Sequence, residues 1–543
     1  MSEFDYIIIG AGSAGCVMAN RLSANENVRV CLIEAGPTDR SPYIHIPVGT
    51  PKLWTHPKMN WLYWTTEQKN AANRKMFVPR GKVIGGSSSI NGMVYLRGHR
   101  DDYDGWAEAG NRGWSYREIL PYFLRSEDNQ KWRNSPYHGT KGPLTVNDPD
   151  HINGLMQVFF DASASNGIPH CPDFNVAEPD GYGLRQITQR KGRRASTAMA
   201  FLHPVRHRKN LEIISHGHVN RVLLTGRKAT GVELSVRGET QRLTAHREII
   251  VAAGVIGSPL ILNRSGIGHG EDLRSAGVDV VHDLKGVGYN YQDHVAAGAA
   301  YTSPTALSYG ISLRTLPQIL WAPFEYLLFR RGLLAMVPMT AAAFVKSSED
   351  ISRPDYQFIF VPALLKGGTG FPVGHGYGIT VSLLRPKSRG CVKITDSNPL
   401  TAPRIDPNYL SDSADVDLLL TGLRRAFSVL DDPAFDKHRG SEVYPGNHVR
   451  SDEQLIEFIH RGCHSSLHPV GTCKMGIGPD AVVDPQLRVH GIESLRVADA
   501  SIMPTLISGS TNAPSIMIGE KASDLILGNP ALPALNDAML AVG

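Results

Sequence analysis

The most constraining feature of the sequence is segment 5–34, in which two apolar runs enclose a glycine-rich turn and a helical pattern. The first run, 6–9, reads as a buried parallel strand, and the second, 28–33, ends in Glu34. A strand–helix–strand unit of this kind belongs to a parallel sheet covered by helices, so the segment predicts an α/β fold. The turn after the first strand carries three glycines in GxGxxG spacing: Gly10, Gly12 and Gly15.

This turn has the chemistry of a dinucleotide-binding site. Gly10 permits the tight turn, Gly12 lets a pyrophosphate approach the backbone, and Gly15 allows the helix to pack on the strand. The helix start offers free N–H groups and a positive dipole end to the phosphates. Glu34 is placed to accept a hydrogen bond from a ribose 2′-hydroxyl and would repel a 2′-phosphate. The alternative, a chance glycine-rich turn, does not account for the strand, helix and acid together.

Composition excludes several classes of function. The 543 residues are 42% hydrophobic and 20% charged, as in ordinary soluble globular proteins. The net charge of +5 is small and no block of five or six basic residues occurs, so no nucleic-acid partner is expected. The six cysteines are scattered without a CxxC pair, which fits a reducing compartment. The first strand begins near residue 5, which leaves no room for a secretory signal, and we expect a cytoplasmic protein.

One segment, 316–337, raises the question of membrane contact. It is the most apolar stretch of the chain, but prolines and charged residues interrupt it, so it does not predict a transmembrane helix. Two interpretations remain open: a helix pair that covers a substrate cavity, or a peripheral contact with a membrane surface through its aromatic side chains.

The order of the elements indicates a discontinuous first domain. A short strand at 495–499 and a helix at 513–527 can return to the N-terminal sheet, with the substrate region inserted between. We expect an N-terminal region at 1–300, mainly dinucleotide-binding, a substrate domain at 301–460, and a C-terminal return at 461–543. Further strands are expected at 211–215, 219–224, 230–236, 248–252, 377–384 and 390–394, and helical patterns cover 102–126, 413–430 and 452–461.

Four more stretches rich in small residues follow the first glycine turn: 81–92, 254–268, 468–473 and 510–515. The first of them has apolar flanks, so its Gly and Ser groups are expected to be buried and to need a partner such as a cofactor. In this order the five stretches resemble the glucose–methanol–choline family of FAD-dependent oxidoreductases over nearly the whole chain. The resemblance implies a Rossmann-like FAD-binding domain and an α+β substrate part on an antiparallel sheet.

The resemblance also implies roles for individual residues. His468 matches the active-site histidine of the family, and Asn512 matches the second catalytic position. Glu34 and the glycine turn would hold the ADP half of FAD, Val219 would contact adenine through its backbone, and Asp499 would close the site near the ribityl chain. The full set of FAD-binding residues implied in this way is Gly10, Gly12, Ser13, Ala14, Gly15, Glu34, Ala35, Trp64, Gly86, Asn91, Gly92, Met93, Val94, Val219, Asp499, Ala500, Asn512 and Ala513.

Three departures from the family pattern are informative. Some members attach FAD through a histidine at the position of Ile90, so FAD is expected to be non-covalent here. Choline-oxidising relatives carry a glutamate near Thr340, so choline becomes a doubtful substrate. Val255 replaces a small residue without affecting the chemistry.

These features predict FAD-dependent oxidation of a primary alcohol to the aldehyde, because imidazole suits removal of the hydroxyl proton and flavin N5 accepts the hydride. Alternatives are a lyase or other non-redox use of the scaffold, a choline dehydrogenase, and a flavoprotein that acts mainly as a binding partner. The acceptor of the electrons, oxygen or a quinone or other carrier, is left open. No metal is expected, although His464 and His468 share an i, i+4 spacing, because no third ligand is evident. An apolar substrate is suggested by Trp64, Met336, Val337, Met339 and Phe344.

Overall fold

The structure, a computed structural model, describes residues 2–364 and 372–535. Two sheets of seven strands each organise these residues, and each sheet has its own large apolar core. The first sheet contains the glycine-rich unit at its centre, and the second is antiparallel throughout. The α/β architecture with an antiparallel substrate part is therefore confirmed.

In the first sheet, Ser2–Ile9 lies between Val30–Glu34 and Glu239–Val251, and all three strands are parallel. Leu211–Ser215 extends the parallel part on one side. Leu495–Val497 pairs in parallel with the end of Glu239–Val251, so the C-terminal part of the chain does return to this sheet. The antiparallel strands Gly217–Thr225 and Lys228–Val236 complete it.

Helix Ser13–Leu22 packs on the first sheet, and further helices pack on it in turn. Ser13–Leu22 follows the glycine turn and packs against Asn512–Leu527, which is buried over most of its length. Tyr116–Ser126 packs on the latter and begins at a capping box formed by Ser115 and Glu118. The helical pattern over 102–126 therefore corresponds to two helices, since Arg100–Glu108 ends before this cap.

The second sheet is built mainly from the middle of the chain. Val295–Thr302 is paired on one side with Gly376–Leu383 and on the other with Glu442–Tyr444 and His464–Ser465. The order then continues through Tyr356–Val361 and Ala341–Val345 to Gly181–Leu184, which comes from within the predicted N-terminal region. Ser413–Leu430 packs on this sheet, and Asp452–Gly462 packs on that helix.

One of the two interpretations of segment 316–337 was a pair of helices, and the structure does not show such a pair. It forms a single helix, Leu316–Phe329, followed by one short turn, Leu333–Ala335. Of the helices in the described ranges, none combines the length and apolar character that crossing a bilayer demands. The remaining helices of six or more residues are Gly154–Ser165, Gly254–Arg264 and Gly270–Ser275.

Candidate active site

The three glycines of the first turn meet three different spatial requirements. A Cβ on Gly10, which has φ +105°, would lie 2.4 Å from the carbonyl oxygen of Ala252. A Cβ on Gly15 would lie 1.9 Å from the carbonyl oxygen of Gly10, so only glycine lets the helix approach the strand this closely. At Gly12 no heavy atom lies within 4 Å of the added Cβ. The turn thus leaves open space where a pyrophosphate would approach the backbone.

Glu34 lies beside this turn in a buried position. Its carboxylate accepts hydrogen bonds from the N–H groups of Ala11 at 3.1 Å and Gly36 at 2.9 Å. Burial raises the pKa of Glu34 to about 7, against the opposing effect of these two hydrogen bonds. Ala35 follows Glu34 directly. Val219 lies on strand Gly217–Thr225, whose first residue packs against Ile33 near the end of strand Val30–Glu34.

The second glycine-rich stretch contacts the first. Gly86 has φ +53°, and a Cβ added there would lie 2.7 Å from Cα of Gly12. Asn91 then shapes the following turn, because its Oδ1 accepts the N–H of Met93 at 3.0 Å while Met93 adopts φ +60°. Gly92 and Val94 are half-buried in this turn. These residues bring segment 86–94 against the dinucleotide turn.

The serines of this stretch have protein partners. The Ser88 hydroxyl donates to the carbonyl of Gly85 at 2.6 Å, and the Ser89 hydroxyl donates to the carbonyl of Ile84 at 2.9 Å. The hydroxyl protons of Ser88 and Ser89 are therefore donated within the turn itself, and the expected contact of the Gly and Ser backbone with a cofactor stays a prediction. Their role is to brace the turn, and the neighbouring Ile90 is buried among apolar side chains.

Arg194 is a buried residue of the site that the sequence patterns did not single out. Its guanidinium donates to Oδ1 and to the carbonyl of Asn91, both at 2.7 Å, and to the Thr50 hydroxyl at 2.6 Å. Desolvation lowers the pKa of Arg194 to about 9. In the sequence, Arg194 lies only between Gly192 and an apolar run. This position does not indicate whether the side chain is exposed or is buried and bonded to Asn91.

His468 lies at the junction of the two sheets and is held from two directions. Its backbone N–H donates to Oδ1 of Asp293 at 2.8 Å, and Asp293 also accepts the hydroxyl of Tyr409 at 2.7 Å. Its ring nitrogen Nδ1 lies 3.0 Å from Nδ1 of His294, with the two rings nearly perpendicular at 84°. Asp293 and His294 are consecutive, so one strand start fixes both the backbone and the ring of His468.

The partners of His294 determine which nitrogen of His468 is free. Nε2 of His294 faces the carbonyl oxygens of Ile507 at 3.0 Å and Leu384 at 3.2 Å, and only a protonated nitrogen can bond to them. Since burial lowers the pKa of His294 to about 4, the ring is neutral and its Nδ1 is an acceptor. His468 must therefore donate from its own Nδ1, which leaves Nε2 with a free lone pair.

The protonation state of His468 follows from its surroundings. Its pKa is lowered well below 6.5, first by desolvation and then by the neighbouring His294. The guanidinium groups of Arg80 and Arg185 act in the same direction. At neutral pH the ring is uncharged and can accept a proton at Nε2.

Asn512 and Asp499 join the C-terminal return to the dinucleotide region. Oδ1 of Asn512 accepts the hydroxyl of Ser13 at 2.7 Å, which connects the starts of the two packed helices. Asp499 Oδ2 accepts the N–H of Gly254 at 2.8 Å and the hydroxyl of Ser258 at 2.6 Å. Ala14, Ala500 and Ala513 are buried beside these contacts.

The residues suggested to line the substrate cavity are not all in one place. Val337 packs with Met93, and Cε of Met339 lies 3.8 Å from the Cβ position of Gly92, so both lie beside the second glycine-rich stretch. Phe344 packs instead against Phe174 in a separate buried cluster. Trp64 is more than half exposed, its ring against Phe77, and Met336 is half-buried.

His464 and His468 face different partners: Nδ1 of His464 lies 3.5 Å from the carbonyl of Gly462, whereas His468 faces His294. Within residues 2–364 and 372–535, no group of three His, Cys, Asp or Glu side chains could hold a metal ion.

The donor set fits FAD. An open glycine turn, a helix start and a buried carboxylate next to it are what a pyrophosphate and a ribose require. The turn, Glu34 and segment 86–94 are the residues that would hold FAD, which would supply an acceptor for a hydride.

Comparison with known proteins agrees with this assignment. Two family models described as GMC oxidoreductase match residues 4–296 and 386–519. An alcohol dehydrogenase [acceptor] of Pseudomonas putida is 42% identical over 98% of this chain and 97% of its own length. An oxygen-dependent choline dehydrogenase of Photobacterium profundum is 40% identical over 98% and 95%.

Solved structures show the same fold. Pyridoxine 4-oxidase from Mesorbium loti has a TM-score of 0.88 at 32% identity, with 97% of this chain and 100% of that chain covered. A formate oxidase has a TM-score of 0.89 at 26% identity, with 97% of this chain and 98% of that chain covered. The chain therefore belongs to the glucose–methanol–choline (GMC) oxidoreductase family, whose members bind FAD and oxidise CH–OH donors.

Proposed function

We propose that the chain oxidises a primary alcohol other than choline to the aldehyde, with His468 as the base that accepts the hydroxyl proton. The observation that carries this proposal is the hydrogen-bonded pair of His468 and His294, which leaves Nε2 of a neutral His468 free. Non-covalently bound FAD supplies the hydride acceptor.

The residues of the chain divide the remaining work. His294 keeps the Nδ1 proton of His468 in place, and Asp293 holds the His468 backbone. When Nε2 takes the hydroxyl proton, His468 becomes a cation whose Nδ1–H still donates to His294. Asn512 is proposed as a neutral amide that orients the alcohol while its Oδ1 accepts the Ser13 hydroxyl.

Choline is the second candidate, because choline dehydrogenases of about the same identity exist among the relatives. The site favours other alcohols. Thr340 is fully buried and its hydroxyl faces the sulfur of Met156 at 3.6 Å, so this position supplies no charge. Arg80 and Arg185 are close enough to disfavour a positive charge on His468, and they would also repel a quaternary ammonium.

The test is anaerobic reduction of the bound flavin by matched alcohols. We expect benzyl alcohol and medium-chain primary alcohols to bleach the flavin with a kcat/KM at least about tenfold above that of choline. Measurement with and without oxygen, and with a quinone, then identifies the acceptor. A choline preference would refute the substrate assignment, and absence of reduction by every alcohol would favour a lyase or other non-redox use.

We also propose that helix Leu316–Phe329 contacts an anionic membrane surface. Its apolar side chains face solvent, which is unusual for a helix with so few polar residues. Phe324 is 59% exposed and Leu328 is 68% exposed. The exposed Arg314, Arg330 and Arg331 border the helix. The carbonyl of Arg330 also lies against Gly192, so the basic hairpin 189–194 adjoins the C-terminal end of the helix. An apolar face rimmed by cations complements an anionic bilayer.

A further inference from the structure

Arg185 is a buried cation beside the site that the reaction itself does not use. It follows strand Gly181–Leu184, and its backbone N–H donates to the carbonyl of Thr340 at 2.7 Å. The residue is only 4% exposed. Its Nη2 donates to the carbonyl of Met339, and Met339 in turn lies against Gly92. These contacts place the guanidinium between the end of the second sheet and the second glycine-rich stretch.

The guanidinium lacks the partners that a buried charge needs. Its Nε is buried without a hydrogen-bond acceptor, and among residues 2–364 and 372–535 no carboxylate forms an ion pair with it. Burial alone lowers the pKa of Arg185 to about 9, and no acidic group opposes this. An uncompensated buried charge is costly, and proteins retain one where a ligand supplies the counter-charge.

Arg80 provides the contrast. Its Nε is also buried without an acceptor, but its Nη2 donates to the carbonyl of Leu467 at 2.8 Å. Arg80 also lies close enough to Asp293 to oppose the rise that burial causes in the pKa of that carboxyl group. No acidic group acts on Arg185 in this way, although both arginines act on His468. Of these two cations, Arg185 is therefore the one whose charge no carboxylate of the described residues offsets.

We propose that Arg185 is a specificity-determining residue that binds a carboxylate of the substrate, so that the preferred substrate is an alcohol with an apolar body and an anionic end. This inference rests on the proposed alcohol oxidation and names its substrate class. The planar guanidinium fork matches a carboxylate in a bidentate arrangement. Val337 and Met339, next to Gly92, supply the apolar contact for the body.

The test compares benzyl alcohol with 4-(hydroxymethyl)benzoate, which differ only in the carboxylate. We expect the wild type to favour the carboxylated alcohol in kcat/KM by about tenfold or more, and Arg185→Gln to reduce kcat/KM for it about 10- to 100-fold, mostly through KM. Benzyl alcohol should change by no more than about threefold. Arg185→Lys should recover part of the preference, because it retains the charge but not the fork. Arg227→Gln, at an exposed arginine in the turn between two strands of the first sheet, is the control and should leave the ratio unchanged.

Binding without turnover separates this inference from the proposed function. Benzoate and benzamide are titrated into the wild-type holoenzyme and followed by flavin absorbance. Tighter binding of benzoate than benzamide, lost in Arg185→Gln, supports the carboxylate site even if no alcohol reduces the flavin. Equal affinity of benzoate and benzamide for the wild type, or an unchanged substrate ratio in Arg185→Gln, would overturn it.

Discussion

At the scale of single residues, the position of one proton decides what the site can do. His468 can act as a base only if its free lone pair is on Nε2, and that depends on His294 and on two backbone carbonyls behind it. Hydrogen bonds thus run from the Ile507 carbonyl through His294 to His468 and position the His468 ring. We call this series of hydrogen bonds the relay. Asp293 adds a second constraint through the His468 backbone.

Replacing the base should slow the chemical step and spare the fold. We expect His468→Ala to reduce the rate of anaerobic flavin reduction about 10²- to 10⁴-fold, as for other general bases, with FAD content unchanged. Asn512→Ala should cost less, because the amide orients the alcohol and carries no proton. Stopped-flow reduction with one good substrate measures both. Near wild-type reduction in His468→Ala with FAD bound would remove His468 from the mechanism.

The relay predicts a pH dependence with a defined sign. The base is active when neutral, and because the pKa of His468 is lowered, activity should persist as pH falls below 6.5 before it is lost. His294→Ala removes the acceptor for the Nδ1 proton, so we expect a lower kcat. It also removes the Coulombic effect by which His294 lowers the pKa of His468, so the acid limb should move toward higher pH. The pH profile of kcat/KM for wild type and variant measures the shift. An unchanged limb would show that His294 only fills space.

The residue scale also marks the limit of what the sequence predicted. Gly10, Gly12 and Gly15 could be interpreted from spacing, because strand, turn and helix are local. The pairing of His468 with His294 joins residues 174 positions apart, and no local pattern encodes it. The hydrogen-bond partners of the serine hydroxyls after Gly86 were not predicted for the same reason, since they depend on how the turn folds.

At the scale of elements, periodicity worked where one face of a helix is buried. Ser413–Leu430 coincides with the predicted range, since it packs on a sheet and faces solvent on its other side. For Leu316–Phe329 the same reasoning did not predict which side is buried. Its apolar residues lie all around the helix, and most of them are exposed. Pattern alone cannot distinguish a buried helix from one that contacts a partner.

If Leu316–Phe329 contacts a bilayer, removal of its exposed apolar groups should weaken vesicle binding. We expect the holoenzyme to co-sediment with vesicles of phosphatidylglycerol and phosphatidylcholine, and Phe324→Ser combined with Leu328→Ser to lower the bound fraction about tenfold or more. High salt should weaken binding, because the flanking cations contribute. Leu400→Ser, at an apolar residue 80% exposed elsewhere, is the control and should bind normally. Equal binding by the double variant would refute the membrane contact.

At the scale of the whole molecule, the FAD site joins segments that are far apart in sequence. The turn at 10–15 contacts segment 86–94, and the C-terminal return reaches this turn because Leu495–Val497 pairs with Glu239–Val251 and Asn512–Leu527 packs on Ser13–Leu22. A cofactor held as proposed would contact several of these segments at once. Its binding energy therefore adds to the stability of the assembled fold rather than to one element.

This arrangement predicts that FAD can be removed intact and that its removal destabilises the protein. Ile90 lies in a buried apolar cluster and offers no nucleophile, so acid precipitation should release all the flavin as FAD. The apoprotein should unfold at lower temperature, because a ligand at 100 times its Kd contributes about 2.7 kcal/mol. Thermal unfolding with and without added FAD measures this, with NAD as the control nucleotide, which should not restore stability. Flavin that stays with the precipitate would contradict non-covalent binding, and equal unfolding temperatures would show that the segments assemble without help from the cofactor.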